Sequence, residues 1–323
     1  MPRIPRTLRP VRAAAVVMAV SVGLGLNMEA RQGTPFRAGV DLVVLSVTAT
    51  GPGGNYVTDL TAEDFTILED GKAQKVALFE RANSPLAVSL LLDSSTSMIR
   101  ELPLAQRAAS DFITRLRPDD LAQVVDFDRS VQVLQPFTAD RAALERAIYR
   151  VVARGSTSMY NAIYIALREL GTLTRPPAGQ VRRDVIVVLS DGEDTSSLVT
   201  YDHVLDGAKR SQSVIYAIGL GFVSAPTRRD AVHPDFALRT LAQETGGRLF
   251  LARDGSSLAG VYNEIADELA SQYVLGYTSS NPQRSGWRRV SVRVARPSTQ
   301  ARTRAGYYAG VDRTAGRQSP ARN

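Results

Sequence analysis

One stretch constrains the fold of this chain more than any other: residues 86–98, which read LAVSLLLDSSTSM. A largely apolar run ending at Leu92 passes directly into Asp93, which is followed by four hydroxyl residues. An apolar run of this length, bounded by polar residues, is typical of a central strand of a parallel sheet that is buried on both faces. Ligand sites in open α/β sheets lie where such strands end. The stretch therefore predicts an α/β fold with a candidate site at Asp93.

The polar residues after this strand have a D-x-S-x-S spacing formed by Asp93, Ser95 and Ser97. Alternate residues leaving a strand place one carboxylate and two hydroxyls around a single point, and hard oxygen ligands of this kind suit Mg²⁺ better than zinc. A polar turn that leads into a helix would show the same spacing. Two later segments favour the metal: RGSTSMYNA supplies Thr157 after a glycine, and VIVVLSDGED is a second buried strand that ends at Asp191.

Taken in order, these three motifs resemble the von Willebrand factor type A (vWA) domain. The resemblance covers roughly residues 86–271. It implies a Rossmann-like, doubly wound, mostly parallel sheet with helices on both faces. It also implies a metal-ion-dependent adhesion site that holds Mg²⁺, or Mn²⁺ or Ca²⁺. The implied metal ligands are Asp93, Ser95, Ser97, Thr157 and Asp191.

The two ends of the chain have the pattern of β-structure. VDLVVLSVTAT near the start is rich in β-branched residues, and WRRVSVRVA near the end alternates strictly between apolar and polar residues. A few strands need a partner face to be stable. We therefore predict a small β-sandwich, split in sequence, with the vWA domain inserted between its halves. The predicted segments are a signal peptide at 1–30, an N-terminal β segment at 37–83, the vWA domain at 84–271, a C-terminal β segment at 272–310 and a disordered tail at 311–323.

The N-terminus has the layout of a secretory signal. Four arginines precede an apolar run over residues 13–26, which is short for a membrane span. We expect cleavage near Ala30, with an uncleaved anchor as the alternative. No cysteine follows the run, which excludes a lipid-anchored lipoprotein, and the chain contains no cysteine at all. The order of the motifs LTAEDF, EDGK, D-x-S-x-S, YVLGY and RAGYY resembles a family of exported bacterial vWA-related proteins, so a periplasmic, cell-surface or secreted location is expected.

The formal net charge of +7 is unevenly distributed. Seven arginines between residues 284 and 304 have no acidic neighbour in sequence, whereas residues 31–283 are net acidic. The arginines can be explained as solvated strand faces, or as a surface attracted to an anionic envelope. Export argues against nucleic acid as a partner. Glu193 and Asp194, which follow the second aspartate motif, are expected to be solvated loop carboxylates.

Three functions of different class are compatible with these motifs. A binding module would use an open metal position to coordinate an acidic side chain of a partner protein. A Mg²⁺-dependent hydrolase would use Asp93 as a nucleophile, but residue 95 is Ser rather than a second Asp. The two histidines, His203 and His233, lie in no recognisable triad context. A vestigial site is disfavoured because all five ligand positions are filled. The sequence therefore predicts a metal-dependent, non-enzymatic binding module.

Overall fold

The computed structural model describes residues 42–81, 84–174, 176, 180–221 and 235–310. The predicted signal peptide, the predicted C-terminal tail and His233 lie outside the described residues. The strands are β1 Leu42–Thr50, β2 Phe65–Glu69, β3 Lys72–Gln74, β4 Val76–Arg81, β5 Leu86–Asp93, β6 Leu121–Phe127, β7 Val131–Thr138, β8 Arg183–Ser190, β9 Val214–Leu220, β10 Leu249–Ala252, β11 Tyr273–Thr278, β12 Gly286–Val294, β13 Gln300–Arg302 and β14 Gly306–Ala309. The α-helices are α1 Leu102–Thr114, α2 Arg141–Ile148, α3 Met159–Thr172, α4 Tyr201–Arg210, α5 Phe236–Thr245 and α6 Leu258–Ser271.

A six-stranded sheet forms the middle of the described chain, in the order β10-β9-β8-β5-β6-β7. Every neighbouring pair is parallel except β6 with β7, which is antiparallel. Helices α1, α2 and α6 pack on one face, and α3, α4 and α5 pack on the other. All eight residues of β5 are buried, as expected for a central strand covered on both faces. The predicted doubly wound, mostly parallel sheet is confirmed.

The two ends of the described chain pair with each other in two antiparallel four-stranded sheets, with the orders β13-β1-β11-β4 and β14-β12-β2-β3. Strand β1 pairs with β11 from Leu42 opposite Thr278 to Val47 opposite Tyr273. Residues of both sheets share one apolar core, in which Leu45 and Ile67 are fully buried. The split β-sandwich with an inserted α/β domain is therefore confirmed.

Buried polar contacts join the sandwich to the α/β domain. Glu268 on α6 is completely buried and accepts hydrogen bonds from Thr48 of β1 at 3.1 Å and from Tyr216 of β9 at 2.6 Å. Arg302 of β13 completes the cluster as an ion-pair partner at 2.5 Å. A buried carboxylate that lost these partners would be left uncompensated, which is strongly destabilising. The cluster therefore ties the C-terminal helix of the domain to both halves of the sandwich.

The arginine-rich segment, residues 284–304, forms ion pairs with acidic residues in the N-terminal half of the sandwich, which is distant in sequence. Three ion pairs cross between the halves: Arg284 with Asp70 at 2.7 Å, Arg288 with Glu69 at 2.8 Å, and Arg296 with Asp59 at 2.7 Å. Only the Arg288–Glu69 pair is fully buried. Arg289 and Arg293, which alternate with the buried valines of β12, are exposed. Most of this segment's charge is thus used within the fold.

Two large apolar side chains at helices α1 and α2, Leu104 and Val152, are exposed. On α1, Ala105, Ala108 and Phe112 are buried, whereas Leu104 is 39% exposed. Val152, which follows the end of α2 at Ile148, is 60% exposed. Among the described residues, no helix is both long and apolar enough to cross a membrane.

Candidate functional site

Two neighbouring parallel strands bring the two aspartate motifs to the same edge of the central sheet. Strand β5 ends at Asp93, and β8 ends one residue before Asp191. The strands pair in register, with Leu92 opposite Leu189. Because parallel strands present their carboxyl ends at one edge, the loops that follow them meet there.

A continuous chain of hydrogen bonds joins four of the five predicted ligands. Asp93 Oδ1 accepts a hydrogen bond from the backbone N–H of Ser95 at 2.8 Å. The Ser95 and Ser97 hydroxyls lie 3.0 Å apart, and the Ser97 hydroxyl donates to Asp191 Oδ1 at 2.8 Å. Asp93 is fully buried at the inner end of the chain, whereas Ser97 is exposed at the outer end. The D-x-S-x-S spacing therefore forms a row of oxygen atoms that runs from the sheet to the surface.

The fifth residue, Thr157, lies in the loop that packs between these two motifs. The carbonyl of Gly155 accepts hydrogen bonds from Thr96 N at 3.1 Å and from its hydroxyl at 2.9 Å. The carbonyl of Thr157 accepts from the backbone N–H groups of Thr195 at 2.9 Å and Ser196 at 3.0 Å. Among the described residues, no hydrogen bond joins the Thr157 hydroxyl itself to the other four. The loop is thus anchored to both aspartate loops through its backbone.

A positive φ of 72° at Gly155 allows this loop to turn back towards the sheet. A Cβ atom at this position would lie 3.4 Å from Asp128 Oδ2, which is also the ion-pair partner of Arg154 at 3.1 Å. The backbone N–H of Arg154 donates to the carbonyl of Ser94 at 2.5 Å. Glycine is favoured here because of both its backbone conformation and the close approach.

The site concentrates negative charge. Burial raises the pKa of Asp93 from 3.8 to about 6, and repulsion from Asp191 adds to this increase. Burial likewise raises the pKa of Asp191, and the nearby carboxylate of Glu101 contributes in the same direction. A cation bound between the two aspartates would relieve both effects because it favours their charged forms.

Sequence reasoning missed two residues of this site. Ser190 donates to Asp93 Oδ2 at 2.5 Å and so fixes the second oxygen of the inner carboxylate. Its position at the end of the second buried strand was a usable signal, because the carboxyl ends of neighbouring parallel strands meet at one edge of the sheet. Glu101 accepts from the backbone N–H of Gly255 at 2.8 Å, and only the folded chain reveals its proximity.

Asp194, expected to be a solvated loop carboxylate, has a structural role instead. It accepts hydrogen bonds from the backbone N–H of Tyr160, in the first turn of α3, at 2.8 Å and from the Ser197 hydroxyl at 2.6 Å. A carboxylate at a helix N-terminus satisfies an otherwise unpaired donor. This contact fixes the loop after Asp191 to the helix that follows Thr157.

Two exposed apolar side chains lie in the loops that carry the candidate ligands. Ile99, two residues after Ser97, is 57% exposed, and Leu198, in the loop after Asp191, is 93% exposed. The backbone N–H of Leu198 donates to the side chain of Asn161 at 3.1 Å, so its loop is held in place. These residues give the edge an apolar margin.

The described histidine lies elsewhere. His203, in the first turn of α4, packs edge-on against Tyr164 of α3 with 5.3 Å between ring centroids. Across the described ranges there is no cluster of three or more His, Cys, Asp or Glu side chains arranged to hold a metal ion. The candidate set instead combines two carboxylates with three hydroxyls.

Comparison with known families agrees with this architecture. The family model described as the von Willebrand factor type A domain matches residues 88–193, which include all five candidate ligands. The chain contains a vWA domain. A UPF0353 protein of Mycobacterium bovis is 24% identical to this chain over 250 residues, which cover 70% of each protein. A UPF0353 protein of Mycobacterium leprae is 24% identical over 253 residues, covering 71% of this chain and 72% of the relative.

A solved structure extends the likeness of the fold beyond the vWA domain. The structure described as von Willebrand factor type A from Catenulispora acidiphila superposes with a TM-score of 0.50 at 16% sequence identity. The match covers 84% of this chain, whereas this chain spans only 63% of that structure. The similarity concerns the fold, because the sequence identity is low.

Proposed function

We propose that this chain is a metal-ion-dependent protein-binding module. The observation that carries the proposal is the row of oxygens from Asp93 through Ser95 and Ser97 to Asp191, at the carboxyl edge of two adjacent central strands. The metal would be Mg²⁺, with Mn²⁺ or Ca²⁺ as alternatives, and Thr157 would complete the protein ligands. The vWA domain supports an interaction role, because resemblance to this family implies adhesion or assembly with a partner protein.

The donor chemistry of the site fits a hard divalent cation. All five side chains present oxygen, and the two carboxylates balance the charge of such an ion while the hydroxyls add neutral ligands. Burial raises the pKa of Asp93 and of Asp191, so their charged forms are disfavoured without a nearby cation. Ser190 holds one oxygen of Asp93, which leaves the carboxylate fixed in orientation. The ion would supply a Lewis-acidic contact for an oxygen of the partner.

The exposed outer end of the row of oxygens determines how a partner could reach the metal. Ser97 is exposed, so a metal held beside it would face solvent. A partner Asp or Glu could then coordinate the ion, since two protein carboxylates leave it near neutrality. Ile99 and Leu198, exposed in the loops that carry the ligands, would contact apolar residues near that acidic group. We therefore propose a protein partner that presents a carboxylate next to apolar side chains.

A hydrolase is the second candidate, in which Asp93 would attack a phosphate ester. The geometry gives it less support. Both oxygens of Asp93 accept hydrogen bonds, from Ser95 N and the Ser190 hydroxyl, and the side chain is fully buried. The ring of His203 packs against Tyr164 on α3, and no hydrogen bond joins it to Asp93 among the described residues. The arrangement suits a ligand of a metal ion better than a nucleophile.

We further propose that the protein is exported and acts in the periplasm, at the cell surface or after secretion, on the basis of its N-terminal sequence. An additional attraction to an anionic envelope surface would depend on Arg289 and Arg293. These two are exposed members of the arginine-rich segment, whereas other members form ion pairs within the fold. Nucleic acid is not proposed as a partner.

The deciding experiment is a pull-down from envelope extract with wild-type protein, with and without EDTA, alongside Ser97→Ala and Thr157→Ala. We expect metal-dependent retention of a partner, weakened in both variants together with metal affinity measured by calorimetry. Ser291→Ala, on the exposed face of β12 in the sandwich, is a matched control that should bind normally. Metal-dependent hydrolysis of phosphate esters by wild type that is lost in Asp93→Ala would overturn the proposal in favour of the hydrolase.

A further inference from the structure

A small cavity lies where the sandwich meets the amino edge of the central sheet, at the opposite end of β8 from the candidate metal site. Val44 and Ser46 of β1 form one wall, and Arg183 and Gln212 lie at or just before the starts of β8 and β9. The cavity volume is about 20 Å³. That volume holds one water-sized species, because a buried water needs roughly 10–15 Å³ on the same measure. The eight residues of β8 separate it from Asp191 by roughly 25 Å.

Arg183 is the unusual residue of this cavity, because its charge is buried and met only by neutral oxygens. Its side chain donates to the carbonyls of Leu269 at 2.7 Å and Ser84 at 3.2 Å and to the amide oxygen of Gln272 at 3.2 Å. Arg183 is 4% exposed, and its buried Nε has no hydrogen-bond partner among the described residues. Burial lowers the pKa of Arg183 to about 10. The carboxylates of Asp120 and Glu80 offset this decrease only in part, and neither forms an ion pair with Arg183 among the described residues.

Two further arginines line the same cavity. Arg182 forms an ion pair with Asp184 at 2.8 Å, so its charge is balanced locally. Arg304 donates to the carbonyls of Gly306 at 2.6 Å and Lys209 at 2.7 Å. The charge of Arg182 is therefore balanced by its neighbour, whereas Arg183 donates only to neutral oxygens and has no carboxylate within ion-pair distance among the described residues.

We propose that this cavity binds a small inorganic anion, either chloride or one oxygen of a phosphate or sulfate group, with Arg183 as its main counter-charge. A buried charge is costly unless it is paired, and a bound anion supplies the missing partner. The cavity volume excludes larger groups from the interior, so an oxyanion would enter with a single oxygen. This site is independent of the metal proposal, since the two lie at opposite edges of the sheet.

The location gives such an anion a structural consequence. Ser84 and Gln272, both bonded to Arg183, flank the vWA domain where the chain passes between it and the sandwich. An anion on Arg183 would therefore stabilise the joint between the two parts. A ligand that binds the native state but not the unfolded state raises the free energy of unfolding.

The test uses full-length protein in EDTA, so that a divalent metal does not contribute. Chloride, sulfate and phosphate are each titrated against gluconate at constant ionic strength while the melting temperature is recorded. We expect a saturable increase of roughly 5 °C at a hundredfold excess over Kd. The anion that saturates at the lowest concentration identifies the source, chloride or an oxyanion.

Two isosteric variants locate the effect. Gln212→Glu places a carboxylate at the exposed rim of the cavity and should raise the melting temperature without anion while abolishing the increment with anion. Gln132→Glu, on the exposed side of β7 and away from the cavity, adds the same charge and should keep the increment. Crystals soaked in bromide should show an anomalous peak beside Arg183.

Three results would each overturn the proposal. The first is an increase without a plateau that is equal in all three proteins, as expected for general exclusion of salts from the protein surface. The second is an undiminished increment in Gln212→Glu. The third is a well-ordered water without anomalous signal in the cavity of bromide-soaked crystals.

Discussion

Asp93→Asn should have opposite effects on stability with and without a divalent metal. In the metal-free protein, burial raises the pKa of Asp93 from 3.8 to about 6, so the folded state resists ionisation of this group. A pKa difference of one between the folded and unfolded states corresponds to about 1.4 kcal/mol, which makes the ionised carboxylate cost about 3 kcal/mol at pH 7. Asn carries no charge and avoids that cost. We therefore expect metal-free Asp93→Asn to be more stable than wild type at pH 7 by up to about 3 kcal/mol.

The structure indicates that the amide can be accommodated. Its oxygen can accept the hydrogen bond from Ser95 N, and its NH₂ group can donate to the Ser190 hydroxyl. That hydroxyl already lies 3.2 Å from the carbonyl of Gly192, to which it can donate instead. With metal present the order should reverse, because the variant loses a charged ligand and the stabilisation that binding supplies.

The difference in stability between the variant and wild type should also depend on pH, in a direction set by the raised pKa. A raised folded-state pKa contributes stability that is complete below about pH 4 and is lost as the pH rises through about 6. Urea unfolding in EDTA should therefore show the gap between variant and wild type closing as the pH falls from 7 to 4. Asp111→Asn, at an exposed position of α1, is the matched control and should show no such gap. A metal-free Asp93→Asn that is less stable than wild type at pH 7 would refute the reasoning.

Three further predictions concern the metal, the sandwich and its buried ion pair. A hundredfold excess of Mg²⁺ over Kd should stabilise chelated wild type by about 2.7 kcal/mol, and Asp191→Ala should abolish this increment; identical melting curves with and without Mg²⁺ would contradict it. A chain that ends at Ser271 lacks β11, the strand between β1 and β4, and should aggregate, whereas residues 84–271 alone should stay soluble by size-exclusion chromatography. A soluble, monomeric product from the first truncation would contradict the split sandwich. Arg288→Ala should destabilise the protein by about 3–5 kcal/mol in urea unfolding because it leaves Glu69 buried without its charged partner. The double variant with Glu69→Gln should recover part of that loss, and a loss below about 1 kcal/mol for the single variant would contradict the buried pair.

The candidate ligands could be recognised from the sequence because their signal is local. The apolar run into Asp93 and the strand before Asp191 each predict a buried parallel strand, and residues at the ends of such strands share one edge. The alternation around Val290 and Val292 likewise predicted the buried face of β12, where both are buried. The Asp-Gly pair at residues 70–71 is a residue pair that favours a hairpin turn, and both residues have positive φ in the structure.

The contacts between segments that are distant along the chain could not be predicted from the sequence. The segment after Gly71 divides near Lys75 into β3 and β4, which join different sheets. The partners of the arginine-rich segment and the closeness of Glu101 to Asp191 depend on which segments the fold brings together.

By itself, the sequence determined the periodicities, the order of the elements and the chemistry of the oxygen ligands, because these depend on neighbours along the chain. Only the tertiary structure decided which charges are buried and which are paired. Arg183 illustrates the difference, because along the chain it lies between Arg182 and Asp184 at the start of β8. In the fold, Asp184 pairs with Arg182, while Arg183 turns towards Leu269, Gln272 and Ser84. The physical reason is that desolvation depends on three-dimensional packing, which local patterns do not encode.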